Sequence, residues 1–345
     1  MMKRGDRYGS HRVIEPAGVL PQPALKIDST TDIYMNEILI DVSILNITST
    51  AFTRIENLAG GDPKLIADEV MRIVKERGKF QCPETGSGGM LIGVVEKIGP
   101  DLAGKVDLKP GDKIATMVSL SLTPLHLEEI LRVDVDTDQV FVKGKAVLFE
   151  SGIYARIPGD IPESLSVAIM DVAGAPAWTA KYVKAGDIVA VIGAGKAGLL
   201  CLHEAKRRVA VTGMVVAVEP SPRQCDLIKR CNLADAVLQI DATQPLAVMQ
   251  AILEATGGKL ADFVVNTVNV PNTEMSSILA CRDHGTVLFF SMSTSFSKVA
   301  LGCEGVGKVL TLLVGTGYTE GHADITLQIL RENSGLRAYF EEIYK

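Results

Sequence analysis

The chain has 345 residues, a length that suits two domains. Hydrophobic residues make up 47% and charged residues 22%, so a full core can be buried, and the net charge of −6 argues against nucleic acid or an anionic membrane surface as a partner while leaving room for a cationic substrate. No apolar run reaches the roughly 18 residues that span a bilayer, and six cysteines without a CxxC pair, with no signal peptide, predict reduced thiols in a cytoplasmic protein.

Residues 1–26 are polar and then proline-rich, and Pro16, Pro21 and Pro23 predict an extended arm rather than a helix. Residues 37–45 alternate and read as a strand, with 46–52 leaving it as a loop. Asp62 and Pro63 open a helix as N-cap and first helical residue; Leu65, Ile66, Val70, Ile73 and Val74 share one face of it, and Gly78 ends it. Residues 83–90 form a loop, 91–98 and 113–118 are strands, and further short strands run to Pro158, so the first half is β-rich. Residues 161–184 are helical in pattern and carry Asp171 and the single tryptophan, Trp178.

From Ile188 the period changes. Strands at 188–192, 214–218, 236–240, 263–268, 286–290 and 310–314 alternate with helices at 199–210, 222–231, 245–255 and 272–281. This pattern predicts an α/β fold with a doubly wound parallel sheet. Residues 323–344 are one or two helices.

The first strand and helix of that region meet at Val189-Ala-Val-Ile-Gly193-Ala-Gly195-Lys196-Ala197-Gly198. Gly193 would allow a tight turn, Gly195 would let a pyrophosphate approach the backbone, and Gly198 would let the helix press on the strand. The N–H groups at the head of the helix, at Lys196 and Ala197, would face the phosphates. Glu219 ends the next strand, roughly 20 residues on, where a carboxylate accepts hydrogen bonds from a ribose 2′-OH and repels a 2′-phosphate. NAD is therefore the expected cofactor. Arg223 would lie by the adenine. Thr267, Ser291 and Met292 fall at C-terminal strand ends, where such sheets bind ligands, although plain loop structure would also account for them.

A β-rich first half followed by one dinucleotide-binding unit resembles the medium-chain dehydrogenase/reductase family. Residues 106–112, Val-Asp-Leu-Lys-Pro-Gly-Asp, are similar to that family's turn before a barrel strand; Gly93-Val-Val-Glu-Lys-Ile-Gly99 looks like its GxVxxxG strand; and 285–291 looks like its strand beside the nicotinamide. The resemblance implies an N-terminal GroES-like substrate and catalytic domain over 1–162, an NAD-binding Rossmann domain over 163–317, and a helical segment over 318–345 packing back between them. Zinc-dependent members carry Gly-His-Glu where this chain has Gly88-Gly89-Met90. Their cysteine ligand falls at Asn46, their third ligand near Asp171 or Val172, and their four-cysteine lobe is absent. Asp171 alone cannot hold zinc, so no metal is expected. Among zinc-free members, the arm His11-Arg12-Val-Ile-Glu15-Pro16 and Gly18-Val-Leu-Pro-Gln-Pro-Ala24 resembles a branch from bacterial lysine fermentation that oxidatively deaminates a diamino acid with NAD⁺.

A site for a diamino carboxylate needs acids for ammonium, a base for the reacting amine and a cation for the carboxylate. Asp171, in an otherwise apolar stretch, is the first candidate for the acid or base; equally, it could cap a local helix. Glu84 could hold an ammonium or be a solvated loop acid. Thr48, where zinc members use a hydroxyl to pass protons, could be a relay or a strand-end hydroxyl bonded to backbone. Arg12 could clamp the carboxylate, or it could anchor the arm with His11. His126, His203, His284 and His322 read as surface or packing residues. The final strand could pair across a twofold axis, which suggests a homodimer. Two further readings remain at this point: a zinc-independent quinone or alkene reductase, against which Glu219 and Asp171 speak, and a dinucleotide-binding protein without catalysis.

Overall fold

Alternation of period two in the first half of the chain builds an antiparallel sheet, and βα alternation in the second builds a parallel one. The computed structural model describes residues 3–315 and 317–344; Met1 and Met2 of the arm, Thr316 of the expected second domain and Lys345 lie outside the described residues. The chain forms two compact units, one running to Asp171 and including residues from Phe340 on, the other Val172–Tyr339.

In the first unit the arm is not simply extended. A 3₁₀ turn at Ser10–Arg12 leads into β1 (Val13–Glu15), which pairs antiparallel with β2 (Lys26–Ile27). There follow β3 (Glu37–Ile47), α1 (Ser49–Ala59), α2 (Pro63–Arg77), β4 (Gly89–Ile98), β5 (Lys113–Thr116), β6 (Leu125–Asp134), β7 (Gln139–Phe149), β8 (Tyr154–Arg156) and α3 (Glu163–Met170). The sheet order is β6-β7-β3-β4-β5-β8, every pair antiparallel. The core joins Ile40, Leu45, Leu91, Val95 and Ile114 of the sheet to Phe52 of α1 and to Ile66 and Val70 of α2. Asp62 caps α2 by accepting the Lys64 N–H at 2.8 Å, and Ile66, Val70, Ile73 and Val74 are buried as their spacing predicts, whereas Leu65 is 50% exposed. Helix α1 replaces the expected loop: Ala51, Phe52 and Ile55 bury one short face.

The second unit contains α4 (Gly174–Tyr182), β9 (Ile188–Ile192), α5 (Lys196–Val209), β10 (Met214–Val218), α6 (Pro222–Arg230), β11 (Ala236–Leu238), α7 (Pro245–Ala255), β12 (Ala261–Asn266), α8 (Glu274–Ala280), β13 (Cys281–Phe289), α9 (Phe296–Val306), β14 (Thr311–Val314), α10 (His322–Glu332) and α11 (Ser334–Ile343). Its sheet runs β11-β10-β9-β12-β13-β14, all parallel, so the strand order reverses between β9 and β12. That reversal is where doubly wound sheets open a ligand crevice. The expected helix over 161–184 is two helices separated at Asp171–Ala173. Helix α3 belongs with the first unit because Gln139 holds it: Ser164 Oγ donates to Gln139 Oε1 at 2.5 Å, and Gln139 Nε2 donates to Ser164 O at 2.9 Å. The unit boundary therefore falls after Asp171 rather than at 162. Helix α10 packs on α4 and α5 within the second unit. Among the described residues no helix is long and apolar enough to cross a membrane.

Arg12 requires a correction. Its guanidinium is fully buried, and all five N–H donors are spent inside the first unit. Nε donates to Glu37 Oε1 and Nη2 to Glu37 Oε2, each at 2.7 Å, while the Asp28, Thr30 and Asp32 carbonyls take the rest. His11 Nε2 adds a contact to Glu37 Oε1 at 2.9 Å. Arg12 is thus an anchor of the arm and has no fork left for a substrate carboxylate. Glu37 stands at the start of β3, and Asn46 near its other end lies roughly 30 Å away at the rise of a strand.

Burial pushes the Glu37 carboxyl up, but the hydrogen bonds from Arg12, His11 and the Tyr34 N–H outweigh it and hold the group at about 2. The ionised group therefore contributes stability that is fully present above the ordinary carboxylate value and is lost as pH falls toward about 2. Glu37→Gln is expected to destabilise the protein near neutral pH by about 3 kcal/mol or more, the cost of breaking a buried pair. In urea unfolding between about pH 5 and about pH 2, the wild type should lose more stability than the variant. Parallel pH dependences would contradict this assignment.

Candidate active site

The dinucleotide cradle is made by close backbone approach. Gly193 has φ 91°, in the left-handed region, and turns the chain out of β9. A Cβ on Gly198 would lie 1.9 Å from Gly193 O, so only glycine lets the first turn of α5 sit on the end of the strand. A Cβ on Gly195, by contrast, would meet nothing within 4 Å: the turn opens to solvent there. The first helical bond of α5 runs from Leu199 N–H to Gly195 O, so the amides of Lys196, Ala197 and Gly198 precede it at the positive end of the helix. This is a fitting seat for a pyrophosphate.

Glu219 is buried at the end of β10. Its Oε2 accepts the Ala194 N–H at 2.7 Å and its Oε1 the Ser221 N–H at 2.9 Å. It ties the glycine turn to the head of α6, and each oxygen keeps a lone pair for a hydroxyl. Arg223 is exposed on the first turn of α6. Thr267 faces inward: its Oγ1 bonds Ile192 O at 3.2 Å and Gly193 O at 3.1 Å, so it acts on the cradle by holding the turn. Ser291 Oγ donates to Asn269 Oδ1 at 3.1 Å and accepts the Ser293 N–H, while Met292 is 80% exposed.

Sequence reading missed Asn266. It is buried at the end of β12, where its Nδ2 reaches Thr273 Oγ1 at 3.0 Å and Ser277 Oγ at 2.8 Å and its Oδ1 accepts the Val268 N–H. It shapes the loop that Asn269 laces to Ser291. An amide closing an apolar strand, Val264-Val265-Asn266, was the available signal.

In the first unit, the end of β3 meets the start of β4. Asn46 is buried, and its Oδ1 accepts from Gln139 Nε2 at 3.1 Å. Gly89 has φ 126°, and a Cβ there would lie 2.0 Å from Asn46 O. The position that zinc-dependent proteins fill with histidine is therefore closed by backbone. Among the described residues no three His, Cys, Asp or Glu side chains converge as a metal site.

Thr48 precedes α1, and its Oγ1 donates to Ser87 Oγ at 2.9 Å; Ser87 Oγ in turn pairs with Thr85 Oγ1 at 2.7 Å, giving a short chain of hydroxyls. Glu84 lies exposed on the same loop. Its Oε2 accepts the buried Cys82 thiol at 3.3 Å, which with nearby Arg54 holds its carboxyl below the usual range. The structure thus brings Thr48 and Glu84 onto one loop system and leaves Arg12 outside it. Asp171 is half-buried at the C-cap of α3, its N–H bonded to Val167 O at 3.0 Å.

Residues 11–158 match the L-erythro-3,5-diaminohexanoate dehydrogenase N-terminal domain family. The chain is 56% identical over 342 residues to the L-erythro-3,5-diaminohexanoate dehydrogenase of Acetoanaerobium sticklandii, covering 99% of both chains. It is 57% identical over 344 residues to that of Fusobacterium nucleatum subsp. nucleatum, covering 99% of this chain and all (100%) of the relative. This chain belongs to the L-erythro-3,5-diaminohexanoate dehydrogenase family.

Solved structures show the wider fold. A mycobacterial protein complexed with NADPH superposes with a TM-score of 0.55 at 17% identity, over 92% of this chain and 84% of the other. An alcohol dehydrogenase from Thermotoga maritima also gives 0.55 at 17% identity, over 90% and 86%. The dehydrogenase thus has the two-sheet architecture of the medium-chain alcohol dehydrogenases.

The cradle geometry separates two glycines. Gly195→Ala should leave the melting temperature of the dehydrogenase unchanged and weaken NADH binding by about tenfold or more, since the methyl occupies phosphate space alone. Gly198→Ala should lower both. Fluorescence titration with NADH beside thermal melting checks this; wild-type binding by Gly195→Ala would contradict the seat.

Proposed function

We propose that the protein catalyses the NAD-dependent oxidative deamination of L-erythro-3,5-diaminohexanoate to 5-amino-3-oxohexanoate, ammonia and NADH, as a step of anaerobic lysine fermentation. Full-length identity of 56–57% to two proteins of that name carries this reading. The closed position at Gly89 supports a course without zinc.

The substrate amine must lose a proton before C3 can release hydride. The resulting iminium then takes up water, giving the ketone and an ammonium ion. NAD, when bound, accepts the hydride. Asp171 is the proposed base for the reacting ammonium, and Glu84, held ionised, the acceptor for the remote one. Thr48, Ser87 and Thr85 are the proposed path for the protons that leave the amine and the attacking water.

In this proposal the first unit serves the substrate and the second the cofactor. Gly193, Gly195, Lys196, Ala197 and Gly198 hold the pyrophosphate. Glu219 holds the adenosine ribose and disfavours a 2′-phosphate, with Arg223 beside the adenine. The loops at Thr267, Ser291 and Met292 flank the nicotinamide. A homodimer is proposed on the edge strand β14, where Leu312 and Val314 stand exposed near Val309. A cytoplasmic location fits six free cysteines.

Given the diamino acid and either coenzyme, the enzyme is expected to form ammonia and NADH in equal amounts and to turn over poorly with NADP. Glu219→Ser should shift the NAD/NADP ratio of kcat/KM toward NADP by about tenfold or more. It should also raise KM for both coenzymes, because the Ala194 N–H loses its acceptor. Reduced coenzyme without ammonia would contradict the deamination, and an unchanged ratio would contradict the role of Glu219.

A further inference from the structure

A diamino acid brings a carboxylate as well as two ammonium groups, and with Arg12 spent on Glu37 the site needs another cation. The basic residues around the Thr48 and Glu84 loop differ in what they have left to give. Arg72 is divided between Glu69 and Glu76, at 2.6 to 2.7 Å. Lys79 is fully buried and donates to Pro21 O at 2.7 Å and Gln22 O at 3.0 Å; burial first, then Arg77, brings its ammonium down to about 8. It holds the arm and does not face solvent.

Arg54 is different. It lies on α1, the helix that Thr48 opens, and its side chain is 46% exposed. Among the described residues its recorded partner is Glu84 Oε1 at 3.7 Å, beyond hydrogen-bond reach, and Glu84 is itself 44% exposed. A planar fork of five donors therefore stands with one loose ion pair, next to the carboxylate assigned to ammonium.

We propose that Arg54 is the specificity residue that receives the substrate carboxylate in a bidentate pair, while Glu84 takes the C5 ammonium. This rests on reading the Thr48 and Glu84 face as the substrate site. The Arg54–Glu84 pair opens to admit a molecule whose two ends carry the complementary charges. C3 lies midway between those ends, so holding both fixes the reacting carbon and leaves its own amine to the base. A monoamine or a diamine without the carboxylate satisfies one partner and leaves the other unpaired, which is how the site would select a diamino acid.

The test compares substrates in the full-length enzyme. Arg54→Ala is expected to lower kcat/KM for 3,5-diaminohexanoate on the order of 100-fold, mostly through KM, as for loss of a charge-assisted pair. It should leave kcat/KM for 2,4-diaminopentane, the same molecule without its carboxylate, at the wild-type value. Arg54→Lys should recover part of the loss, since it keeps the charge without the fork. Glu84→Gln should show the converse, losing activity on the diamino acid while leaving 3-aminohexanoate unaffected. Melting temperatures should not change, because both side chains are half-exposed. Equal losses on 2,4-diaminopentane and the diamino acid would overturn the assignment, as would full activity of Arg54→Ala on the diamino acid. A wild-type enzyme inactive on the diamino acid would instead overturn the proposed reaction itself.

Discussion

The approach of α5 to the end of β9 is the constraint on which the rest of the second unit depends. Gly198 brings the helix within contact of Gly193 O, and the open side of the turn at Gly195 is what that closeness leaves for a ligand. Thr267 and Glu219 then hold the turn from two neighbouring strands, one through its carbonyls and the other through the Ala194 N–H. A phosphate seat made this way is pre-organised: its donors are backbone amides fixed by packing, and little is lost in ordering them when a dinucleotide binds. Glu219 has a double task, since the carboxylate suited to a ribose also braces the turn that cradles the phosphates.

The first unit solves a different problem, how to prepare an amine for oxidation where related proteins place a metal. Its answer is visible in the backbone. Gly89 touches Asn46 O so closely that no metal-binding side chain fits, and Asn46 turns its amide to Gln139 instead. Gln139 goes on to hold Ser164 of α3, whose C-cap is Asp171. Polar groups that would otherwise be orphaned in the core are thus satisfied by amides and hydroxyls, and the acids lie outside that network, free to serve a cationic substrate. The arm is fastened at the far end of β3 by a buried ion pair whose cost is met by five hydrogen bonds to one guanidinium.

Much of the fold is legible in the sequence where local signals agree. Residues 188–192 and 214–218 are apolar runs bounded by glycine or charge, and both are strands to the residue; Pro245–Ala255 is the helix that its proline and its pattern predict. Signals that conflict locally were misread. Helix α1 begins Ser49-Thr-Ala-Phe-Thr, poor in helix formers, and only tertiary burial of Phe52 and Ile55 settles it. Helix α9 contains Gly302 and Gly305 and buries little beyond Val299. The misassigned role of Arg12 has another origin. Its partners lie 16 to 25 residues away, and nothing in composition or spacing shows five acceptors converging on one side chain. Gln139 and Asn46, 93 residues apart, escaped notice for the same reason. Arg54 was passed over because the helix that presents it was read as a loop.

The central claim is that a carbon–nitrogen bond is oxidised in a site furnished with carboxylates and hydroxyls instead of zinc. Turnover of the diamino acid and zinc content determined on one and the same sample test it most directly. The account predicts full activity at a zinc content far below one per chain, unchanged by a strong chelator. Activity that rises in proportion to bound zinc, saturating at about one ion per chain as in catalytic zinc sites, would contradict it.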